Sequence, residues 1–238
     1  MDNAIYTTLN RQSGLMREMR TVANNIANAS TNGFRKEGVV FAEHIAALGN
    51  QEPSLSMASA TGRITNLSQG SLSQTGGTFD FAIEGEGFFQ IETPQGNQLT
   101  RAGSFTPSAE GELVSLDGYR LLDRGGSPIF VAPDAGPITV SQDGTMSSQG
   151  APIAQLGLFV PTDPNGLVHQ GGTRFSAEAG VEPIETYVIM QGFLEESNVD
   201  SVSEITRMIE VQRAYEMGQT FLDREDQRIR GVISTLSR

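Results

Sequence analysis

The acidic residues at positions 80–86 come closest to a catalytic arrangement. Paired carboxylates can divide acid and base roles, as they do in glycoside hydrolysis. Asp80, Glu84 and Glu86 are separated by even numbers of residues, so they share one face of an extended strand. Phe81 and Ile83 lie on the other face. This alternation is typical of a strand with one solvated side, so we interpret the acids as surface residues.

Other catalytic and ligand-binding patterns are weak. The two histidines, His44 and His169, are far apart, and the chain has no cysteine, which argues against a zinc site and excludes disulfides. Residues 85–90 begin like a dinucleotide fingerprint but lack its third glycine and lead into a strand. Serine nucleophile elbows and calcium loops are absent from the sequence. We therefore expect no catalytic residues, no cofactor and no metal, and a protein that is not an enzyme.

Composition favours a turn-rich β protein. The 238 residues include 27 glycines and 10 prolines, are 37% hydrophobic and carry a net charge of -12. Residues 41–200 contain five basic and nineteen acidic groups, which argues against nucleic acid as a partner. The opening residues lack the pattern of a cleavable signal peptide, and no apolar run approaches the ~20 residues of a membrane span. We expect no membrane insertion, and either a cytoplasmic protein or one exported without a cleavable signal.

The N-terminal part of the chain has a helical period. Residues 3–30 are predicted to form one helix that stops at Thr31–Phe34, where Gly33 takes a left-handed cap and Phe34 packs back on the last turn. Three asparagines close to this end favour either side-chain hydrogen bonding or a fraying last turn, and both interpretations stay open. The apolar positions are spaced by three and four, with Gln12 as the polar exception: Ile5, Leu9, Met16, Met19, Ala23 and Ile26.

The C-terminal part of the chain repeats this spacing. A helix is predicted from Ser201, with Glu204 completing a capping box, to Leu236. A seam of this period requires a partner helix, so the two termini are expected to meet and to meet other copies. Gly218 and Glu225 fill gaps in the seam, whose apolar positions are Met208, Val211, Tyr215, Leu222, Ile229, Val232 and Leu236.

Between the helices the sequence indicates β-structure. Residues 34–78 are predicted to be an extended linker with short strands, and residues 79–192 a β-rich core, an antiparallel sandwich or barrel-like domain. Hairpin-type turns are expected at 95–97, 117–118, 143–144 and 165–166. The predicted fold is mainly β with paired terminal helices. Residues 1–33 and 198–238 would form a discontinuous coiled-coil assembly domain around the central antiparallel β domain.

Several motifs resemble those of a known family. They are Val22–Arg35, Ala82–Phe89, Thr100–Phe105, Leu194–Asp200 and Gln212–Glu216. Together they resemble the bacterial flagellar axial proteins of the rod, the hook and the hook-associated structures. Within that family, the opening residues and the short chain are most similar to proximal-rod proteins, and distal-rod proteins are the runner-up.

The resemblance implies a structural function. Subunits would leave the cell through the flagellar type III export apparatus and stack into a hollow rod across the periplasm, in contact with copies of themselves and with other rod proteins. The terminal helices would line the inner tube, ordering on assembly, and the β domain would form the outer layer. The predicted assembly interface comprises the two seams together with Asn24, Asn25, Asn28, Gly33, Phe34, Asn198 and Val199.

Two other classes of protein remain as alternatives. A non-flagellar homodimer or adaptor would use the two helices as an ordinary coiled coil. An enzyme acting on cell-wall glycan would need Glu84 or Glu86 in a cleft.

Overall fold

A computed structural model describes residues 2–46 and 55–236, with the side chains of residues 7–41 and 62–235. The fold is mainly β, with one long helix at each end of the chain. Helix α1 covers Asp2–Ala27 and helix α2 covers Ser201–Leu236. No helix in the described part of the chain is both long and apolar enough to cross a membrane.

The chain divides into two compact units. The first, called here the helical unit, comprises Met1–Ala27, Glu37–Asn66 and Asp200–Arg238. The second, called the β unit, comprises Asn28–Lys36 and Leu67–Val199. This division differs from the expected segments, because residues 37–66 cluster with the terminal helices, whereas residues 28–36 and 67–78 cluster with the β-rich part.

The helical unit contains the two longest strands, β1 (Glu37–Ala46) and β2 (Leu55–Thr65). They pair antiparallel from Glu37 opposite Thr65 to Ala46 opposite Leu55, with a register shift between Val40 and Phe41. Only short strands were expected here. The neighbouring Val40 and Phe41 are both exposed, so this part of the ribbon does not show the alternation that makes strands recognisable in a sequence.

The β unit consists of short strands and one 3₁₀ turn at Pro164–Gly166, where a hairpin turn was expected. Its strands are β3 (Leu72–Gln74), β4 (Phe81–Glu84), β5 (Phe89–Thr93), β6 (Gly96–Thr100), β7 (Phe105–Pro107), β8 (Leu113–Ser115), β9 (Arg120–Leu121), β10 (Ile138–Val140), β11 (Thr145–Ser148), β12 (Ala151–Gln155), β13 (Phe159–Pro161), β14 (Leu167–His169), β15 (Arg174–Ala177), β16 (Val181–Pro183), β17 (Val188–Gln191) and β18 (Phe193–Glu195).

All pairings between these strands are antiparallel. The largest sheet has seven strands in the order β14-β15-β6-β5-β9-β8-β7, and smaller sheets pair β4 with β17 and β3 with β18. The fully buried Phe89 and Phe105 of the main core meet edge to face, with ring centroids 5.6 Å apart. This core is aromatic and aliphatic, and its buried side chains include Phe81, Phe89, Phe105, Leu113, Leu121 and Ile189.

The helix ends differ from the sequence expectations in detail. Helix α1 stops at Ala27, because residues 28–34 fold into turns in which the Thr31 amide donates to the Asn28 carbonyl at 3.1 Å. The capping box expected at Ser201 is wrong, because the side chain of Asp200 caps α2 instead. Its carboxylate accepts the Val202 amide at 3.0 Å. It also accepts the Ser203 hydroxyl at 2.8 Å.

Candidate assembly interface

The helical unit is built around an antiparallel pairing of α1 and α2. Near one end of the pair, Asn25 Nδ2 donates to Glu204 Oε2 at 2.9 Å. Near the middle of the pair, Gln12 Nε2 donates to the Tyr215 carbonyl at 3.2 Å. Extending this register residue by residue places the start of α1 opposite about residue 227. Helix α2 therefore continues for roughly two turns beyond the point where α1 begins.

Asn25 ties α1 to two other segments of the helical unit. Besides its bond to Glu204, its Nδ2 donates to the Glu37 carbonyl at 2.8 Å and its Oδ1 accepts the Glu37 amide at 3.0 Å. All three residues are buried. The hydrogen-bonding interpretation is therefore confirmed for Asn25. The Asn25 side chain bonds both backbone groups of Glu37, as a neighbouring strand would at the start of β1. This role explains why asparagine, a poor helix former, occurs near the end of α1.

An ion pair lies between these two contacts of the helix pair. Arg207 Nε on α2 donates to Glu18 Oε1 on α1 at 2.7 Å. The Glu18 carboxylate is largely buried, whereas Arg207 is about half exposed. The hydrogen bond to Glu18 raises the pKa of Arg207 above its usual value, so the guanidinium stays charged.

The predicted seam of α1 is not the face that the helical unit buries. Leu9 and Ala23 are exposed, Met16, Met19 and Ile26 are half-buried, and Ile5 lies outside the described side chains. Apart from Gln12, which belongs to the register of the predicted seam, the buried positions lie on a neighbouring face of the helix and are mostly polar or small: Gly14, Glu18, Thr21, Val22 and Asn25.

The predicted seam of α2 faces α1 only over the first two thirds of the helix. Val211 is buried, and Met208, Tyr215 and Leu222 are half-buried. Ile229 and Val232 continue the same face but are 43% and 54% exposed. Leu236 lies outside the described side chains. The part of the seam that extends past α1 is thus uncovered.

The remaining predicted positions divide between the two units. Asn24, on α1, is half-buried. In the β unit, Asn28 is half-buried, Gly33 and Val199 are buried, and the ring of Phe34 is fully buried and meets His169 edge to face at 6.1 Å. Glycine is required at position 33, because its φ of +73° lies in the left-handed region and an added Cβ would collide with the backbone of the segment 101–102.

Asn198 holds three segments of the β unit together. Its side-chain Oδ1 accepts the backbone amide of Lys36 at 2.7 Å, and its side-chain Nδ2 donates to the Ser68 carbonyl at 2.8 Å. Its backbone amide donates to the Phe34 carbonyl at 3.4 Å. The segment that follows α1 and the segment that precedes α2 are joined again where the amide of residue 33 donates to the carbonyl of residue 195 at 2.7 Å. These two segments therefore run side by side.

A buried ionic cluster, missed by the sequence analysis, lies at the same place. Glu195 accepts Arg35 Nη1 at 2.6 Å on one carboxylate oxygen and Arg101 Nη1 at 3.0 Å on the other. The first oxygen also accepts the Gly70 amide at 2.9 Å. All three charged side chains are nearly inaccessible to solvent. We call Arg35, Arg101 and Glu195 the Glu195 cluster.

The Glu195 cluster pairs two guanidiniums with one carboxylate. Burial lowers the pKa of Arg101 to about 10; Glu195 opposes this change and Arg35 adds to it. Burial also lowers the pKa of Arg35, and Glu195 again opposes the change. Arg101 with this pKa is still charged at neutral pH. The motifs that contain these residues were visible in the sequence, but their convergence was not, because the three positions are far apart along the chain.

The candidate catalytic carboxylates do not form a cleft. Glu84 and Glu86 are exposed beside the turn that follows β4, and the Asp80 carboxylate accepts the Thr75 hydroxyl at 2.6 Å. Within the described residues no three histidine or acidic side chains are grouped so that they could hold a metal ion.

Known families match this chain in three places. The flagellar basal-body rod protein model matches residues 5–35, the flagellar hook protein FlgE/F/G D1 domain matches residues 82–148, and the flagellar basal-body rod FlgEFG C-terminal model matches residues 190–235. Together with the terminal helix pair and the inserted β unit, these matches define the class as a flagellar axial protein.

Comparison with individual relatives identifies the family within this class. The chain is 38% identical to the flagellar basal-body rod protein FlgF of Caulobacter vibrioides, over 100% of this chain and 99% of the relative. It is 39% identical to the FlgF of Mesorhizobium japonicum, over 91% and 90%. Identity to the rod protein FlgG of Bacillus subtilis is 29%, over 98% and 99%. The chain belongs to the flagellar basal-body rod protein family, a family of structural subunits and not of enzymes.

Proposed function

We propose that this chain is a subunit of the proximal part of the flagellar rod and assembles helically, through its terminal helices, with copies of itself and with other rod proteins. The higher identity to FlgF proteins than to FlgG proteins supports the proximal position over the distal one. The hollow drive shaft built in this way would span the periplasm, with the helical units towards its axis.

One observation supports assembly through the helices. The face of α2 that packs on α1 continues past the start of α1, where Ile229, Val232 and Ile233 are 43%, 54% and 60% exposed. Leaving aliphatic side chains in water forgoes about 25 cal/mol for each Å² of apolar surface that a neighbour could cover. A non-closing contact of this kind between identical copies builds a helical assembly instead of a ring.

Export is the second part of the proposal. The subunits would cross the inner membrane through the flagellar type III apparatus, without a cleavable signal peptide. Membership of the rod family supports this route, because rod subunits must reach a site outside the cytoplasm. In the free subunit we expect the helical unit to be loosely folded, because much of its apolar surface is covered only when a neighbouring subunit binds.

The experiment compares two substitutions on α2 in a strain that lacks this chain. Such cells should stall with a partial basal body and no hook, and the unaltered chain should restore swimming. Ile229→Asp should not restore swimming, because it places a charge on the uncovered face. Gln227→Asp adds the same charge at an exposed position on the opposite side of the helix, so it should restore swimming.

Restoration of swimming by Ile229→Asp would contradict assembly through this face. The free protein gives a second test, by sedimentation and limited proteolysis. A monomer that is clipped at both ends fits the rod proposal. A stable dimer with protected helical ends in dilute solution would instead favour the coiled-coil adaptor.

A further inference from the structure

Helix α2 carries a second exposed aliphatic patch, separate from the predicted seam. Val202, Ile205 and Ile209, called here the first-turns patch, are 74%, 49% and 45% exposed. At about 100° per residue they project from the side of α2 opposite Val211, which is buried against α1. Exposed aliphatic residues at three- and four-residue spacing form one stripe, and a stripe of this kind is a packing surface.

The uncovered end of the seam forms a matching surface. Ile229, Val232 and Ile233, called here the overhang patch, lie on the α1-facing side of α2 but beyond the start of α1. The two patches are about 40 Å apart along one straight helix and face opposite directions. They therefore cannot meet within one molecule.

We infer that the overhang patch of one copy packs on the first-turns patch of the next copy. This inference rests on the proposed function and names the surfaces through which copies join. A two-fold contact of either patch with itself would leave the other patch in water. The contact between unlike patches covers both at once, and it continues from copy to copy because it does not close.

The charges beside the patches favour the same pairing. Among the exposed charges, two carboxylates and one guanidinium (Asp200, Glu210 and Arg213) border the first-turns patch, whereas two guanidiniums and one carboxylate (Arg228, Arg230 and Asp226) border the overhang patch. Arg228 and Arg230 already pair with acidic neighbours along the helix, but such exposed pairs are weak and can be shared with a neighbouring subunit. Unlike patches bring opposite net charges together, whereas like patches would bring like net charges together.

Disulfide trapping tests this contact directly, because the natural chain has no cysteine. A chain that carries both Ile205→Cys and Val232→Cys is produced in the strain that lacks the natural protein, and basal bodies are isolated from the swimming cells and oxidised. We expect a ladder of dimers and larger species. Chains with only one of the two cysteines should stay monomeric, because each contact pairs unlike positions.

The matched control combines Ile205→Cys with Gln227→Cys, which is also exposed but lies on the other side of the helix from the overhang patch, and it should give no ladder. Dimers from either single-cysteine chain, or no ladder from the double variant, would overturn the inference. Because the cells swim, either result would leave the proposed rod function intact. If Ile205→Cys with Val232→Cys does not restore swimming, Ile209→Cys with Ile229→Cys is the second pair, judged by the same outcomes.

Discussion

The two units of this protein distribute their polar and apolar residues in opposite ways. The β unit buries large apolar side chains such as Phe81, Phe89 and Leu121 almost completely. The helical unit buries polar side chains, Glu18 and Asn25 among them, and leaves aliphatic residues of α2 in solvent.

This difference shows where each unit obtains its stability. A core of buried aromatic and aliphatic side chains stabilises a domain within one chain. Buried polar groups mainly fix the register and geometry of a packing, and contribute little net stability. We therefore expect the β unit to be stable by itself and the helical unit to gain most of its stability from neighbouring subunits.

The largest expected effect comes from truncating a buried side chain of the β unit, which we compare with truncating an exposed side chain of the helical unit. Phe89→Ala removes a fully buried ring that packs on Phe105, so it should lower the free energy of unfolding by about 3–5 kcal/mol. The matched change is Ile233→Ala, at a side chain that is 60% exposed. It should change the free energy of unfolding by about 0.5 kcal/mol at most. Urea titration followed by circular dichroism measures both.

The same two variants should reverse their order in assembly. Ile233→Ala should slow swimming without abolishing it, although the purified protein is as stable as the unaltered chain. The comparison between the units fails if Ile233→Ala costs as much stability as Phe89→Ala, because Ile233 would then be packed within the subunit.

The Glu195 cluster gives the next largest effect. Glu195→Gln leaves two buried guanidiniums facing a neutral amide, and an uncompensated buried charge typically costs about 3 kcal/mol or more. The adjacent Glu196→Gln is the control. Glu196 is exposed, and its bond from the Ser71 hydroxyl survives with an amide oxygen as the acceptor. Urea titration should show a lower midpoint for Glu195→Gln alone; equal midpoints would mean that the cluster does not stabilise the β unit.

Local periodicity made the long helices predictable. The full length of α2 to Leu236 and the part of its seam that faces α1 could be predicted, because apolar spacing and the absence of proline act within a few residues. The buried face of α1 could not be predicted in the same way. Gln12, Glu18 and Asn25 are polar, and only their specific partners on α2 and β1 make their burial favourable.

Contacts between distant segments were beyond sequence reasoning. Arg35, Arg101 and Glu195 come from three separate segments, and no spacing rule predicts that they converge. The length of the β1–β2 pair could not be predicted for another reason. Val40 and Phe41 remain exposed although they belong to a strand. Sequence patterns report burial, so structure that is not buried leaves little signal.

A smaller effect is expected at Asn25. Asn25→Ala leaves the Glu37 amide unsatisfied and removes the donor to Glu204, at a cost of about 1–3 kcal/mol that the higher helix propensity of alanine offsets in part. The control is Ser13→Ala, at an exposed position of the same helix, where alanine brings a similar gain in helix propensity. Hydrogen exchange should show faster opening of α1 and β1 in Asn25→Ala, while the amides of the β unit exchange at unchanged rates. Faster exchange in both units would show that their stabilities are coupled.

The smallest effect tests whether the helix pair needs the glycine in its seam. An alanine at position 218 would bring its Cβ to 2.8 Å from Gln12 Nε2, the flexible end of a side chain that can move aside. Helix propensity favours alanine by about 1 kcal/mol, and displacing Gln12 from the Tyr215 carbonyl costs a similar amount. Because these two terms nearly cancel, Gly218→Ala should change the free energy of unfolding of the helical unit by about 0.5 kcal/mol at most. Hydrogen exchange in α2 measures this change. A loss clearly above this range would show that close approach at Gly218 stabilises the pair, and that the helical unit depends on tight packing within the subunit after all.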